Sequence, residues 1–350
     1  MFLEIIKKIK FFIFIQLPDS FSDSVSFKHS YLLFKKNFDI VIFSKSCDKK
    51  SLALDSWYKY LNTKSNLKIL YSKSTIYRDH GQKLNIVFGS CKPKFFSVSH
   101  QLKKDVFKST TNFIVNESSL LGRGKVFEDG SKLSWYRIGL NGFLADEDAF
   151  LPLHLADENR LINILKQKNI SIHPWKPGNQ HILVALQIPG DAALRGKDII
   201  SWALNIVKRI RELSSKKIIL RKPQLKRDYD RKVTEKIQSY GNIEIQTGTF
   251  ENLKSTLLNS YFTCSYTSGI GIDSVINGIP VVVEDSGSFV YDLSTSLEDA
   301  LNEDYFQPDR KEFLRKIASA EYSLNDIEEG IAFKNIKKVI DYKKQFKKIY

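Results

Sequence analysis

The sequence contains few cysteines, and they are not arranged as metal ligands. Only three occur among 350 residues, Cys47, Cys91 and Cys264, with no Cys-x-x-Cys spacing and no nearby histidine pair. These absences argue against a disulfide framework and against a structural zinc site. Unpaired thiols are typical of a reducing compartment, so a cytoplasmic location is predicted.

A long apolar run is also missing. Residues 1–16 are rich in isoleucine and phenylalanine, but they include Glu4, Lys7, Lys8 and Lys10. Their uninterrupted apolar run is far shorter than the ~20 residues that a membrane span needs, and no small-residue cleavage site follows. An ordinary first helix or strand is predicted rather than a signal peptide. Because lysines and aromatic residues interleave here, a peripheral contact with the membrane surface stays open.

Acidic residues are outnumbered by basic ones. The chain has 54 lysines and arginines against 39 aspartates and glutamates, which gives a formal net charge of +15. Such a charge favours anionic partners: a nucleotide, an acidic glycan, an anionic lipid surface or nucleic acid. An A/T-rich genome, which enriches lysine, would produce the same excess without any such partner.

The length predicts two domains, because 350 residues exceed what one hydrophobic core usually holds. Four apolar runs and one helical pattern predict an N-terminal α/β domain: 39–44, 51–61, 67–71, 84–89 and 112–116. Residues 118–160 are rich in Gly, Asp and Ser and are expected to form loops. Two prolines and a glycine make 172–179 the best linker, so the predicted domains are 1–172 and 173–350.

The C-terminal half alternates regularly between strands and helices. The predicted strands are 181–187, 217–221, 243–246, 261–265 and 280–283, and the helices between them are 197–213, 228–239, 251–259 and 270–277. This spacing predicts βαβ units and a parallel sheet with right-handed crossovers. A helical tail is expected from about Arg310 to the end.

Polar and glycine residues follow three of these strands. Because the carboxyl ends of parallel strands meet at one edge of a sheet, where open α/β folds bind ligands, these residues are expected to form one site. They are Gln187, Gly190, Asp191, Arg221, Lys222, Pro223, Thr267, Ser268 and Gly269. Cationic side chains and hydroxyls at the start of a helix bind phosphate. Plainer interpretations stay open: Asp191 and Ser268 as helix caps, and Lys222 in a solvated turn.

The order of these motifs resembles the capsule polysaccharide biosynthesis family of retaining β-Kdo transferases and related phage and bacterial GT-B glycosyltransferases. The elements that carry the resemblance are Phe113 to Arg123, Gln187 to Asp191, Lys222-Pro223, Thr267-Ser268 and Gly278 to Val283. The similarity extends over about residues 110–335. Two of these elements depart from the family pattern: Lys222-Pro223 stands where the family has His-Pro, and Ser118-Ser119 where it has Asp-Gly.

The resemblance implies an α/β, GT-B-like fold with two Rossmann-like domains facing a central cleft. It implies a metal-independent hexosyl or Kdo-type transferase of polysaccharide or capsule biosynthesis. Such an enzyme moves a sugar from a nucleotide-sugar to a glycan or glycolipid with retention. Asp191 would be the nucleophile and Glu117 the general base, while Arg123 would orient Glu117 or bind an acidic sugar. The other residues of the three strand ends would hold the donor, for which a CMP-linked sugar such as Kdo is favoured. No cofactor and no metal are expected.

Two other functions stay open. A viral DNA-modifying glycosyltransferase would share the fold and use the basic charge on DNA phosphates, although nucleic acid is the less favoured partner. A non-catalytic nucleotide- or carbohydrate-binding protein would keep the fold without turnover. The presence of both Glu117 and Asp191 argues against that loss.

Overall fold

The structure, a computed structural model, describes residues 38–47, 51–92, 97–122, 135–223, 231–248 and 250–346. These residues form two units. The first lies within Met1–Ser118, Ser134–Phe143 and Tyr322–Tyr350, and the second lies within Ser119–Leu133 and Leu144–Glu321.

The units divide at positions other than the predicted boundary between residues 172 and 173. The predicted linker lies inside the second unit, where its backbone is hydrogen-bonded. His173 N donates to Ile276 O at 2.9 Å, and Gly178 N donates to Ser260 O at 2.7 Å. Prolines and a glycine keep this segment out of helices and strands, but they do not prevent it from packing as an ordered loop.

The first unit begins with a parallel sheet and its covering helices. Its elements in chain order are β1 (Ile40–Phe43), α1 (Leu52–Lys64), β2 (Ile69–Ser72), β3 (Leu84–Phe88), α2 (Val98–Lys108), β4 (Asn112–Ser118) and β5 (Trp135–Leu140). β1 to β4 are parallel, and β5 pairs antiparallel with β4. α1 buries Leu54, Trp57 and Leu61 at helical spacing. Trp57 Nε1 donates to Asn116 Oδ1 in β4 at 2.8 Å, which ties this helix to the sheet.

The second unit contains a fully parallel sheet. After α3 (Arg160–Gln167), its elements are β6 (His181–Ala185), α4 (Ile199–Leu213), β7 (Ile218–Pro223), α5 (Arg231–Gln238), β8 (Ile243–Gly248), α6 (Phe250–Leu258), β9 (Ser260–Ser265), α7 (Ile270–Ile276) and β10 (Val281–Val283). The strand order is β10-β9-β6-β7-β8. β6 is buried along its whole length, as expected for a central parallel strand covered on both faces. The predicted alternation over 181–283 is confirmed.

The chain ends in helices, as predicted. They are α8 (Leu297–Leu301), α9 (Lys311–Ala320), α10 (Leu324–Glu328) and α11 (Ile331–Phe346), with a short strand β11 (Glu321–Ser323) between α9 and α10. β11 completes the first sheet, whose order is β11-β5-β4-β3-β1-β2. α10 packs on α1 in the first unit, where Ser56 Oγ donates to Glu328 Oε1 at 3.0 Å. The α/β class with two Rossmann-like sheets is therefore confirmed.

Two short strands were not predicted. β5 lies within 118–160, which the composition indicated to be loops, and β11 lies inside the helical tail. Arg137 and Gly139 interrupt the apolar residues of β5, and β11 has only three residues, so neither produces the continuous apolar run by which the central strands are recognised. Among the residues that the structure describes, no helix is long and apolar enough to cross a membrane.

Candidate functional site

The strand order of the second sheet changes direction between β6 and β9. The chain adds β7 and β8 on one side of β6, and then β9 and β10 on the other. In open parallel sheets, ligands bind outside the carboxyl ends of the strands at such a switch point. A cavity of about 220 Å³ lies at this edge. Five predicted residues line it: Arg221, Lys222, Pro223, Ser268 and Gly269.

Gln187 and Thr267, both predicted to bind the donor, are hydrogen-bonded to each other across the switch point. Thr267 N donates to Gln187 Oε1 at 2.9 Å, and Gln187 Nε2 donates to Thr267 Oγ1 at 3.0 Å. The Thr267 hydroxyl donates to Ala193 O at 2.9 Å. These hydrogen bonds connect the loop after β6 to the start of α7.

Asp191 caps a single 3₁₀ turn, Ala192–Leu194, in the loop after β6. Its Oδ1 accepts from Ala193 N at 3.0 Å, which is the capping contact that the sequence left open. Gly190 precedes it with φ of +74°, a left-handed conformation that costs glycine little. Among the described residues, none donates a hydrogen bond to Oδ2 of the half-buried Asp191. One oxygen is thus held and the other is available for chemistry, and the nucleophilic role stays a prediction.

Arg221 presents a buried guanidinium at the end of β7. Its residue exposure is 7%, and Nη1 donates to Asn252 Oδ1 at 2.8 Å. Gly248 lies directly against it, since an added Cβ there would be 2.8 Å from Arg221 Nε. Burial lowers the pKa of this guanidinium from its ordinary value. Asn252 and Gly248 shape the cation site, although no feature of the sequence indicated either one.

The remaining walls of the cavity mix apolar and polar groups. Leu186, Leu253 and Ile270 are apolar, and Lys222 lies beside Arg221 at the end of β7. Asp273 adds a carboxylate from α7 that the sequence analysis did not select. The cavity is therefore lined by two cationic residues from β7 and one carboxylate residue from α7.

Glu117 lies in the first unit, at the carboxyl end of β4. Ser90 N donates to its Oε1 at 2.5 Å, and Ser118 N donates to its Oε2 at 3.3 Å. Its partner across the antiparallel pair is Arg137 of β5. The Arg137 guanidinium lies over the Phe143 ring, 5.7 Å from its centroid. Arg123 lies outside the described residues, and that Glu117 faces Asp191 stays a prediction.

A cluster of acidic residues surrounds Arg195, which lies just after the 3₁₀ turn. The sequence analysis did not indicate this cluster. The Arg195 guanidinium pairs with Asp146. Asp146-Glu147-Asp148 is an Asp-x-Asp triplet, a spacing typical of metal-dependent transferases, and here its first carboxylate binds an arginine. Within the described ranges, no group of three or more His, Cys, Asp or Glu side chains could hold a metal ion.

No protein-family model matches the sequence, and no curated protein matches it. Among solved structures, the chain is similar to KpsC of Thermosulfurimonas dismutans, a β-Kdo 2,7 transferase, with 15% identity, a TM-score of 0.47, and coverage of 85% of this chain and 99% of that chain. It is also similar to the KpsC β-Kdo 2,4 transferase of the same organism, with 11% identity, a TM-score of 0.48, and coverage of 82% and 92%. A third is S. aureus MnaA with UDP, with 14% identity, a TM-score of 0.30, and coverage of 83% and 94%.

The chemistry of the site is inferred from its own residues. A buried arginine beside a lysine, at the switch point of a parallel sheet, can bind a phosphate by charge-assisted hydrogen bonds. A half-buried carboxylate lies on the loop after the central strand β6. These two elements belong to one unit and leave the same edge of the same sheet.

Proposed function

We propose that this protein is a glycosyltransferase that binds a nucleotide-sugar in the cavity at the switch point. The observation that carries the proposal is the buried guanidinium of Arg221 beside Lys222 in that cavity. A donor phosphate in this cavity would pair with these cations and accept charge-assisted hydrogen bonds from them. The apolar side chains of Leu186, Leu253 and Ile270 suit the base and ribose, since ligand cavities combine mostly apolar walls with few polar groups.

In the proposed reaction, an Asp191 oxygen attacks the anomeric carbon of the donor sugar. The bond from that carbon to the phosphate oxygen breaks, and the nucleotide leaves with the electron pair. The acceptor hydroxyl then attacks the glycosyl-Asp191 ester while Glu117 takes its proton, which releases the Asp191 carboxylate. Two inversions restore the original configuration, as in glycosidases with a carboxylate nucleophile. Arg221 and Lys222 stabilise the charge that develops on the leaving phosphate, and the scheme includes no metal and no cofactor.

A CMP-linked Kdo or related acidic sugar is the donor we propose, with a glycan or glycolipid of polysaccharide biosynthesis as acceptor. The motif order supports this choice, and the net charge of +15 suits an acidic sugar. A glycolipid acceptor would bring the protein to an anionic membrane surface. Lys334, Lys337, Lys338 and Lys344 on the exposed face of α11 would favour such a peripheral contact.

Thermal-shift titration with CMP, UDP, GDP and dTDP tests donor binding. A nucleotide that binds the native state raises the melting temperature by mass action, and we expect the largest shift with CMP. Arg221→Met and Lys222→Met should each weaken binding about tenfold or more, because each removes a charge-assisted hydrogen bond. Lys208→Met, on the exposed surface of α4, is the matched control. No shift with any nucleotide, or an equal shift in the Arg221→Met variant, would refute the donor site.

Asp191→Asn separates chemistry from binding. Turnover should fall on the order of a thousand-fold or more while nucleotide affinity is kept. The asparagine oxygen can still accept from Ala193 N, so the cap and the stability should change little. Near-normal turnover would rule out the nucleophile. Nucleotide binding without turnover in the wild type would favour the non-catalytic protein, and salt-sensitive binding of duplex DNA would favour the DNA-modifying enzyme.

A further inference from the structure

Three loops of the second unit meet at Arg195. The first loop is 144–148. The second is 188–196, which contains Asp191 and Arg195 itself, and the third is 285–287, which follows β10. Arg195 Nη1 donates to Asp146 Oδ2 at 2.8 Å and lies 3.4 Å from Asp285 Oδ1, while Nη2 binds Asp146 Oδ1. Two guanidinium nitrogens thus bind the two oxygens of one carboxylate, a geometry that fixes orientation as well as distance.

The two carboxylates that bind Arg195, those of Asp146 and Asp285, also accept hydrogen bonds from neighbouring residues. Ser286 Oγ donates to Asp146 Oδ2 at 2.5 Å. Tyr266 OH donates to Asp285 Oδ2 at 2.9 Å, and Gly287 N donates to Asp285 Oδ1 at 2.9 Å. The hydrogen bond from Arg195 is the largest of the influences that lower the pKa of Asp146 to about 2, so this carboxylate is ionised at neutral pH. The guanidinium therefore binds a charged and oriented partner.

The chain between Asp191 and Arg195 is one short turn with little freedom. Leu194 N donates to Asp191 O at 3.1 Å, and Arg195 N donates to Ala192 O at 3.1 Å. With a 3₁₀ rise of about 2 Å per residue, Arg195 lies about 8 Å along the chain from Asp191. Arg195 has φ of +50°, a left-handed conformation that is costly for a residue other than glycine. The hydrogen bond from the Thr267 hydroxyl to Ala193 O stabilises one side of this turn, and the contacts of the Arg195 side chain stabilise its end.

We propose that Arg195 is a positioning residue, whose pair with Asp146 fixes the turn that presents the Asp191 carboxylate. This inference rests on the proposed function, because it names what holds the proposed nucleophile. A half-exposed ion pair by itself contributes little to stability. Its effect on catalysis is larger, because moving a reacting group by about 1 Å can lower a rate about a hundredfold.

Hydrogen exchange at Ala193 N tests whether the turn is held, since this N–H donates to Asp191 Oδ1. Exchange should become at least about tenfold faster in Arg195→Gln, because the turn opens more often. Arg209→Gln is the matched control. The Arg209 side chain is 36% exposed against 35% for Arg195, and it too pairs with carboxylates, Glu284 at 2.8 Å and Glu298 at 3.1 Å. Equal exchange in the two variants would overturn the inference.

Kinetics of CMP release from CMP-Kdo test the consequence for catalysis. Arg195→Gln and Asp146→Asn should each lower kcat about a hundredfold, with KM for the donor changed by less than about threefold. The double variant should be no slower than either single variant, because the two residues act as one unit. Arg195→Lys keeps the positive charge but lacks the planar guanidinium, so it should recover part of the lost kcat. Losses that multiply in the double variant, or a kcat equal to that of Arg209→Gln, would contradict positioning.

The two measurements separate this inference from the proposed function. Hydrogen exchange needs no donor, so it decides whether Arg195 holds the turn even where CMP-Kdo is not a substrate. Inactivity of the wild type toward every nucleotide-sugar counts against the proposed function alone. An inactive Asp191→Asn variant together with a fully active Arg195→Gln variant would overturn the inference and leave the proposed function standing.

Discussion

Replacing Lys168 by methionine should destabilise the second unit by about 3–5 kcal/mol. Lys168 Nζ lies 2.7 Å from Glu321 Oε2, and the two side chains are 1% and 0% exposed. The substitution keeps the aliphatic volume but leaves the Glu321 carboxylate buried without its cation. That carboxylate retains its desolvation penalty, which is why losing one partner costs more than the pair itself contributes.

The same pair holds the segment that follows β4. Lys168 Nζ donates to Ser119 Oγ at 2.7 Å and to Leu121 O at 2.9 Å, and Leu120 N donates to Glu321 Oε1 at 2.6 Å. Adding Glu321→Gln to the Lys168→Met variant should restore part of the lost stability. The neutral amide oxygen can still accept from Leu120 N, and no buried charge is left uncompensated.

Urea denaturation measures both costs, and a pair in the first unit supplies the control. Lys59 Nζ lies 2.5 Å from Glu328 Oε2, but these side chains are 67% and 34% exposed. Lys59→Met should cost at most about 1 kcal/mol, because water already screens and solvates both charges. If Lys168→Met and Lys59→Met cost the same, the reasoning from burial is wrong.

Three further predictions follow from local geometry. The pKa of Asp146 is lowered from 3.8 to about 2, so the contribution of its carboxylate to stability is complete above about pH 4 and is lost as the pH falls toward 2. The difference in urea midpoint between wild type and Asp146→Asn should therefore vanish as the pH falls from about 4 to about 2. Gly278→Ala should lower the melting temperature more than Gly196→Ala. Both glycines have positive φ, but only at Gly278 would the new Cβ overlap Pro174 O, so equal losses in melting temperature would contradict this reasoning. Burial raises the pKa of the Cys264 thiol, so maleimide should label it only after unfolding, which mass spectrometry can follow.

The alternation of the C-terminal half could be predicted because its central strands are buried on both faces. Ile182, Leu183 and Val184 in β6 are fully buried and form a continuous apolar run. The residues that follow such apolar runs stand out in the sequence, and five of the predicted ones line the cavity. β5 gave no such signal, since Gly139 interrupts it and it follows a stretch rich in Gly, Asp and Ser.

Partner choice within the site could not be predicted. Gln187 and Thr267 are predicted to bind the donor, but the sequence did not indicate that they also hydrogen-bond each other across 80 positions. Arg195 was not selected, because its partners Asp146 and Asp285 lie 49 and 90 positions away. Such contacts depend on where loops meet in space, and the periodicity and spacing of residues in the sequence do not predict which loops meet. The acidic cluster around Asp146 is the one local signal that could have pointed to this junction.

A crystal structure of the protein with bound CMP would show whether the donor nucleotide occupies the cavity at the switch point. We expect phosphate oxygens at about 2.7–3.0 Å from side-chain nitrogens of Arg221 or Lys222, with the nucleoside against Leu186 or Ile270. Nucleotide bound outside this cavity, or bound inside it with the phosphate turned away from both cations, would refute the proposed donor site.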